Sequence, residues 1–268
     1  MDIQEMINLY QSGKSLACLA NKYNTTTYTI KKILIQNNVE TRTRSQQNVF
    51  TNQERAKKVD HNYFDNIDTN EKAWLLGFLA ADGAIAEKRN SIKIGLSSID
   101  REILEKIQKE IKSERQILDY ETNKGFQISE LVWSSGNHKT QLAKYGIIPR
   151  KTYKAMRLPD LDLEKQLSFI LGYYDGDGCF KDDGTTCRIE ICSYRPELLI
   201  EFSQVLNKLC NCNRQVYQEP HRDNYYTLTY STKNTITILN KMYSLNSLFL
   251  SRKHNKYINW LNKNNYRI

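Results

Sequence analysis

Two Asp-Gly dipeptides, Asp82-Gly83 and Asp177-Gly178, each close an apolar run: WLLGFLAADG from Trp74 to Gly83, and FILGYYDGDG from Phe169 to Gly178. Both runs carry small residues four apart, Gly77 and Ala81 in the first and Gly172 and Gly176 in the second. On a helix such positions share a face, so small side chains there leave a flat stripe along which two helices pack backbone to backbone. Side by side, the helices bring Asp82 and Asp177 together at their final turns. Helix C-termini are negative and the two carboxylates repel, so the pairing makes sense if divalent cations sit between them. Paired carboxylates with Mg²⁺ (or Mn²⁺) are the usual equipment for phosphodiester cleavage. The blander reading is two helix-end aspartates that cap the turns after them.

The elements that must position these aspartates are written twice. After Gly83 the period changes from helical to alternating: in Ser91–Ser97, Ile92, Ile94 and Leu96 share one face and Lys93 lies on the other. A helix is expected from about Asp100 to Lys112, a hairpin over Gln116–Ser134 turning at Asn123-Lys124-Gly125, and a helix from Asn137 to Lys144. At an offset of 95, Asp82 falls on Asp177, Ile94 on Ile189, Glu102 on Glu197 and Leu104 on Leu199. Arg188–Cys192 is then the equivalent strand, followed by a helix over 196–209, a hairpin around His221–Asn224 and a helix near 234–243. Ser251-Arg-Lys253 matches Pro149-Arg-Lys151 at a shifted offset, so Lys151 and Lys253 follow the last helix of their halves. Each half reads αββαββα, and a duplication this long argues for pseudo-twofold architecture.

The chain has 268 residues, enough for one or two domains with a proper core, and its 40% hydrophobic and 26% charged residues describe a soluble protein. A net charge of +9 favours a polyanionic partner without separating nucleic acid from a membrane surface or a ribosomal role. No apolar run approaches a membrane span, and Asp2 and Glu5 occupy the place of a signal peptide's basic residues, so no membrane partner and an intracellular location are expected. The six cysteines form no CxxC pair; Cys187, Cys192, Cys210 and Cys212 as zinc ligands are the lesser reading beside reduced thiols. The four histidines are scattered and read as surface or DNA-facing residues.

LLGFLAADG and ILGYYDGDG resemble the two copies of the LAGLIDADG motif of the homing endonucleases. The second copy keeps Asp175 and Asp177; the first has Ala80 at the earlier aspartate's place and keeps Asp82 and Gly83. The final aspartate of the motif is the family's metal ligand, so the resemblance implies Asp82 and Asp177 as metal-binding, catalytic residues. Lysines similar to Lys151 and Lys253 polarise the water network or steady the scissile phosphate in that family; a lysine on the DNA backbone or in solvent is the other reading. Asp175, without a counterpart, reads as helix-end structure or an accessory ligand.

The fold implied is α+β, with halves 69–158 and 159–268 forming a saddle whose concave face lies on duplex DNA. Its DNA contacts would come from Lys88, Lys93, Arg115, Lys124 and Lys139 in one half, and from Lys181, Arg188, Arg214, Gln215 and Arg222 in the other. Unlike halves imply a long asymmetric target and a monomer, and the family leaves short 3′ overhangs. The initial Met and the absence of a Cys/Ser start and His-Asn end point to a free-standing or intron-encoded product of a mobile element rather than an intein. Two other classes stay open: a non-cleaving transcriptional regulator and an intron RNA maturase.

Residues 1–48 read as a separate helical unit. Ile3, Met6, Ile7 and Tyr10 have helical spacing; Ser15 caps a second helix with Leu16, Leu19 and Ala20; Thr25–Thr27 open a third with Ile30, Ile33 and Leu34. This resembles the helix-turn-helix of resolvase-like DNA-binding domains, and its third helix would offer Thr26, Thr27, Tyr28, Lys31 and Lys32 to a major groove. A packing module with solvated charges is the alternative. Residues 49–68 are expected as a linker, with Arg42 and Arg44 just before it lying along a phosphate backbone.

Overall fold

The computed structural model describes residues 2–56, 59–154 and 156–266, and the chain divides into two compact units, 1–58 and 59–268. Residues 57 and 58 of the expected linker lie outside the described residues. Unit one holds α1 (Ile3–Gln11), α2 (Leu16–Lys22), α3 (Thr27–Gln36) and α4 (Arg44–Ala56). Asp2, Ser15 and Thr26 cap the first three, each side-chain oxygen accepting from the backbone N–H three residues on. Met6, Tyr10, Leu19, Ala20, Ile30 and Leu34 form its core.

The expected linker is largely ordered. Its first part lies in α4, whose few apolar residues hid it from periodicity. Its second part sends Val59, Tyr63, Phe64 and Ile67 into the core of unit two. His138 anchors that strap. Its Nδ1 accepts from Trp133 Nε1 at 3.0 Å, leaving Nε2–H to donate to the Asp60 carbonyl at 2.6 Å. The ring is fully buried, so the surface reading of this histidine is corrected. Burial pushes its pKa down to about 4. Between pH 6.5 and 4 the unfolded chain therefore binds a proton that the folded ring refuses, so His138 stabilises the fold above pH 6.5 and loses that contribution on acidification. Up to about 3 kcal/mol is at stake. An imidazole resonance of His138 titrating near pH 6.5 in the folded protein would overturn this assignment.

Unit two is two αββαββα halves. The first runs α5 (Asn70–Ala81), β1 (Ala84–Ile85), β2 (Ser91–Ser97), α6 (Arg101–Glu110), β3 (Leu118–Glu121), β4 (Gln127–Ser134) and α7 (Gly136–Lys144). The second runs α8 (Leu163–Asp177), β5 (Gly178–Asp183), β6 (Thr186–Ser193), α9 (Pro196–Cys210), β7 (Tyr217–Gln218), β8 (Tyr226–Ser231) and α10 (Thr232–Ser244), then adds α11 (Ser251–Lys263). Each half has a four-stranded antiparallel sheet of the same order, β1-β2-β4-β3 and β5-β6-β8-β7. Ile92, Ile94 and Leu96 point into the core while Lys93, Gly95 and Ser97 point out, as alternation in a half-buried strand requires.

α5 is buried on every face from Ala73 to Ala80, because α8 lies on one side and the sheet and outer helices on the others. α8 is likewise buried from Leu167 to Asp175. No described helix is long and apolar enough to cross a membrane.

Candidate active site at the ends of the paired helices

Backbone contact between α5 and α8 sets the site. A Cβ on Gly77 would lie 2.0 Å from the Phe169 carbonyl oxygen, and one on Gly172 would lie 1.9 Å from that of Trp74. Gly176 faces Ala81 in the same way, its missing Cβ 2.4 Å from the Ala81 methyl. At this separation the two helices end together. Asp82 is the C-cap of α5 and Asp177 the last residue of α8, with Asp82 Oδ2 only 3.3 Å from where a Gly176 Cβ would stand.

Both carboxyl groups are exposed to solvent on one side and crowded by protein on the other. The crowding, reinforced by Asp177, pushes Asp82 up to about 6. Burial also raises Asp177, against the pull of Lys151, Arg195 and Lys253. The open side tempers these shifts, yet the direction is the one a close carboxylate pair must show. Two accessible hard oxygen donors whose mutual repulsion the neighbouring cations offset only in part fit a divalent cation. Among the described residues no three His, Cys, Asp or Glu side chains converge on one ion, so two carboxylates are what the protein offers.

The lysines sit beneath the aspartates. Lys151 Nζ donates to the carbonyls of Ala81 and Gly83, and Lys253 Nζ to those of Tyr174, Asp175 and Gly178 at 2.6–2.7 Å. Each ammonium thus closes the carbonyl-rich turn that carries an aspartate, where helix ends leave acceptors unfilled. Lys253 has all three donors engaged. Burial lowers the pKa of both lysines, while the neighbouring carboxylates oppose the shift.

Asp175 turns away from this surface. It is 1% exposed, and its Oδ2 accepts from Trp74 Nε1 at 2.9 Å and from the Leu250 N–H at 3.1 Å. Burial raises it to about 7, Lys253 opposing. It ties α5 to the segment entering α11. Asp175→Ala should cost about 2–4 kcal/mol, because two buried donors lose their acceptor. A urea midpoint unchanged in that variant would refute the tie.

Sequence reasoning missed Arg195. It is 5% exposed; one Nη donates to the Ala80 carbonyl at 3.3 Å and to Tyr173 Oη at 3.2 Å, while the other approaches Met156 Sδ. With Asp177 and Lys151 it lines a cavity of about 100 Å³. The signal was in the duplication, since Arg195 falls on Asp100 at the offset of 95.

The expected DNA contacts divide into groups. On the outward sheet faces, Lys93 pairs with Glu130, Lys181 with Glu190, and Arg188 with Asp183 and Glu190. Lys88 and Lys124 are exposed in turns. Arg214 reaches Ser231, Gln215 reaches Asn213, and Arg222 stacks over Tyr225. Arg115 is half-buried beside the Val132 carbonyl. Lys139 is engaged internally, its Nζ holding the carbonyls of Ala86, Glu87 and Arg89. In unit one Thr26, Thr27, Tyr28, Lys31, Lys32 and Arg44 are exposed. Arg42 stacks on Tyr10 and Phe50 and donates through one Nη to the Lys14 carbonyl at 2.7 Å.

The LAGLIDADG-like domain profile matches residues 69–146 and again 164–243. The chain belongs to the LAGLIDADG family. The two matches are the duplicated halves, and the fold is that of two LAGLIDADG-like domains in tandem. Among solved structures the chain is similar to mesophilic variants of the homing endonuclease I-DmoI (19% identity, 65% of this chain and 96% of that one, TM-score 0.47). It is also similar to I-SmaMI bound to uncleaved DNA target in the presence of calcium ions (11%, 71% and 89%, 0.46). A third is the N-terminal LAGLIDADG domain of DUF199/WhiA (15%, 74% and 92%, 0.44). No curated protein sequence matches the chain.

Proposed function

We propose that this LAGLIDADG protein is a site-specific double-strand DNA endonuclease dependent on Mg²⁺ or Mn²⁺. The observation that carries the reading is the meeting of Asp82 and Asp177, solvent-accessible and mutually repelling, at the ends of two helices in backbone contact. Each aspartate belongs to one half, so each serves one strand of a duplex. A bound divalent ion supplies charge neutralisation at the scissile phosphates and eases deprotonation of water. The chain's own part is placement: Gly77, Ala81, Gly172 and Gly176 set the spacing, and Lys151 and Lys253 fix the turns and leave positive charge behind the phosphates.

Lys93, Lys181 and Arg188 lie on the outward sheet faces, where a duplex would exchange their Glu130, Glu190 and Asp183 partners for phosphates and base edges. Halves 69–158 and 159–268 differ in sequence, which suits a monomer on a long asymmetric target. Residues 1–48 act as a helix-turn-helix with α3 in a major groove through Thr26, Thr27, Tyr28, Lys31 and Lys32, adding affinity by tethering.

The test is cleavage of a randomised duplex library with Mg²⁺ and with chelator. One family of duplexes cut on both strands, only with metal, is the expected result. Selective binding without cutting would replace the endonuclease with a non-cleaving DNA-binding protein.

A further inference from the structure

Each sheet carries a carboxylate near the centre of the face that points away from the core. On the first sheet it is Glu130 in β4, whose Oε2 accepts from Lys93 Nζ and from Tyr120 Oη at 3.2 Å. Gly95 stands opposite in β2 and has no side chain to cover it; a Cβ there would lie 3.8 Å from the same carboxylate oxygen. On the second sheet it is Glu190 in β6, paired with Lys181 at 2.6 Å and with Arg188 Nε at 3.1 Å. Glu190 falls on Gly95 at the offset of 95, and Thr229 faces it across the strands as Glu130 faces Gly95. The two halves thus put a carboxylate into the same cross-strand pair from opposite strands.

A carboxylate on a face that meets a polyanion opposes the binding that the +9 chain otherwise favours. The cations around it have the greater freedom. Lys93 is 46% exposed against 13% for Glu130, and Lys181 and Arg188 are likewise more exposed than Glu190. A duplex that draws these cations to phosphates leaves each carboxylate against a base edge, where a desolvated and unpaired charge is costly. The major groove offers one kind of relief. The exocyclic amines of cytosine and adenine donate, whereas guanine and thymine present acceptors that repel a carboxylate. Adenine also has an acceptor at N7 beside its amine, so cytosine is the better partner. Its guanine mate offers O6 and N7 to a basic side chain alongside.

We infer that Glu130 and Glu190 are specificity-determining residues, each accepting a hydrogen bond from the amino group of a cytosine at one fixed position of its half-site. Such reading presupposes the DNA-bound sheet faces proposed above, but not cleavage.

The experiment is metal-free selection of bound duplexes from a randomised library by wild-type protein, Glu130→Gln and Glu190→Gln. Wild-type duplexes should share a cytosine at one position in each half-site, and another base there should weaken binding about tenfold. Glutamine both donates and accepts, which suits N6 and N7 of adenine. Glu130→Gln should therefore change cytosine to adenine at one position only, and Glu190→Gln at the other only. A glutamate that merely steadies its cation predicts altered affinity with every base preference intact. That result, or a half-site without a shared cytosine in the wild-type duplexes, would overturn the inference. Should a variant fail to fold, wild-type binding to duplexes with N4-methylcytosine at the shared positions takes its place. A loss of about tenfold is then expected, and no loss at either position would overturn the inference. Failure to select any duplex would instead remove the DNA-bound sheet faces, and this role of the glutamates with them.

Discussion

Gly172→Ala is expected to lower stability by about 3 kcal/mol or more, because the new methyl cannot be accommodated by moving side chains. Its Cβ would stand 1.9 Å from the Trp74 carbonyl oxygen and 2.8 Å from the Phe78 nitrogen, and both are backbone atoms in the middle of a buried helix. Relief requires α5 and α8 to part. Parting them opens voids along residues that are fully buried, among them Trp74, Phe78, Phe169 and Tyr173. Gly77→Ala meets the reciprocal obstacle at the Phe169 carbonyl, 2.0 Å away, and should behave alike. Gly95→Ala is the control, since its nearest neighbours are 3.8 Å away on an exposed strand position; its effect should stay within about 0.5 kcal/mol. Urea unfolding of the three variants reads all of this. A Gly172→Ala midpoint close to that of Gly95→Ala would mean that the helices are not in backbone contact.

That contact was legible because it depends on residue size at a fixed spacing, which a sequence displays openly. So was β2, whose Ser91–Ser97 alternation matches its bounds, and the duplication that places two sheets of one strand order. α11 was not foreseen. Its buried side chains Lys253, Tyr257, Trp260 and Leu261 follow helical spacing, but a first half that offers only a short 3₁₀ turn at Lys151–Tyr153 gave the repeat no reason to demand a helix there. The repeat also concealed a difference in its first hairpin, since β1 spans two residues where β5 spans six.

Buried polar groups were the hardest to place. His138 reads as a surface or DNA-facing residue in the sequence and Asp175 as helix-end structure or an accessory ligand, while Arg195 carries no signal of its own; each is held by at least one partner distant in the chain. Asp60 and Trp133 hold His138; Trp74 and the Leu250 N–H hold Asp175; Ala80 and Tyr173 hold Arg195. Periodicity reports on apolar faces and is silent about such pairings. The same limit applies to the basic residues. Lys139 has the composition of a phosphate contact, yet its ammonium fills three carbonyls within its own unit. Charge alone does not say whether an open donor remains.

Asp82→Asn and Asp177→Asn should each abolish strand cleavage, by a factor of about 10³ or more, without destabilising the protein. The two halves of that expectation have one cause. Asp82 is raised to about 6 from an ordinary 3.8, so the folded state holds its proton longer than the unfolded chain does. Below about pH 4 both states are protonated and the pair costs nothing. Between about pH 4 and 6 the unfolded chain has lost its proton while the folded carboxyl, opposed by burial and Asp177, still holds it, so stability falls across that window and levels off above it. At neutral pH the full penalty is present, and an uncharged amide removes it. Because both carboxyl groups are open to solvent on one side, the gain is about 1 kcal/mol at most. Mg²⁺ should give wild-type protein a similar rise in melting temperature, since the ion binds only the folded pair, and it should give less to either variant. Aspartates that merely cap their turns predict the reverse: a lower melting temperature on substitution and no response to Mg²⁺. Melting curves with and without the ion, beside cleavage of the selected duplex, separate these outcomes. Retained cleavage in either variant would take that aspartate out of the chemistry, and a fall in melting temperature would assign it to the turn.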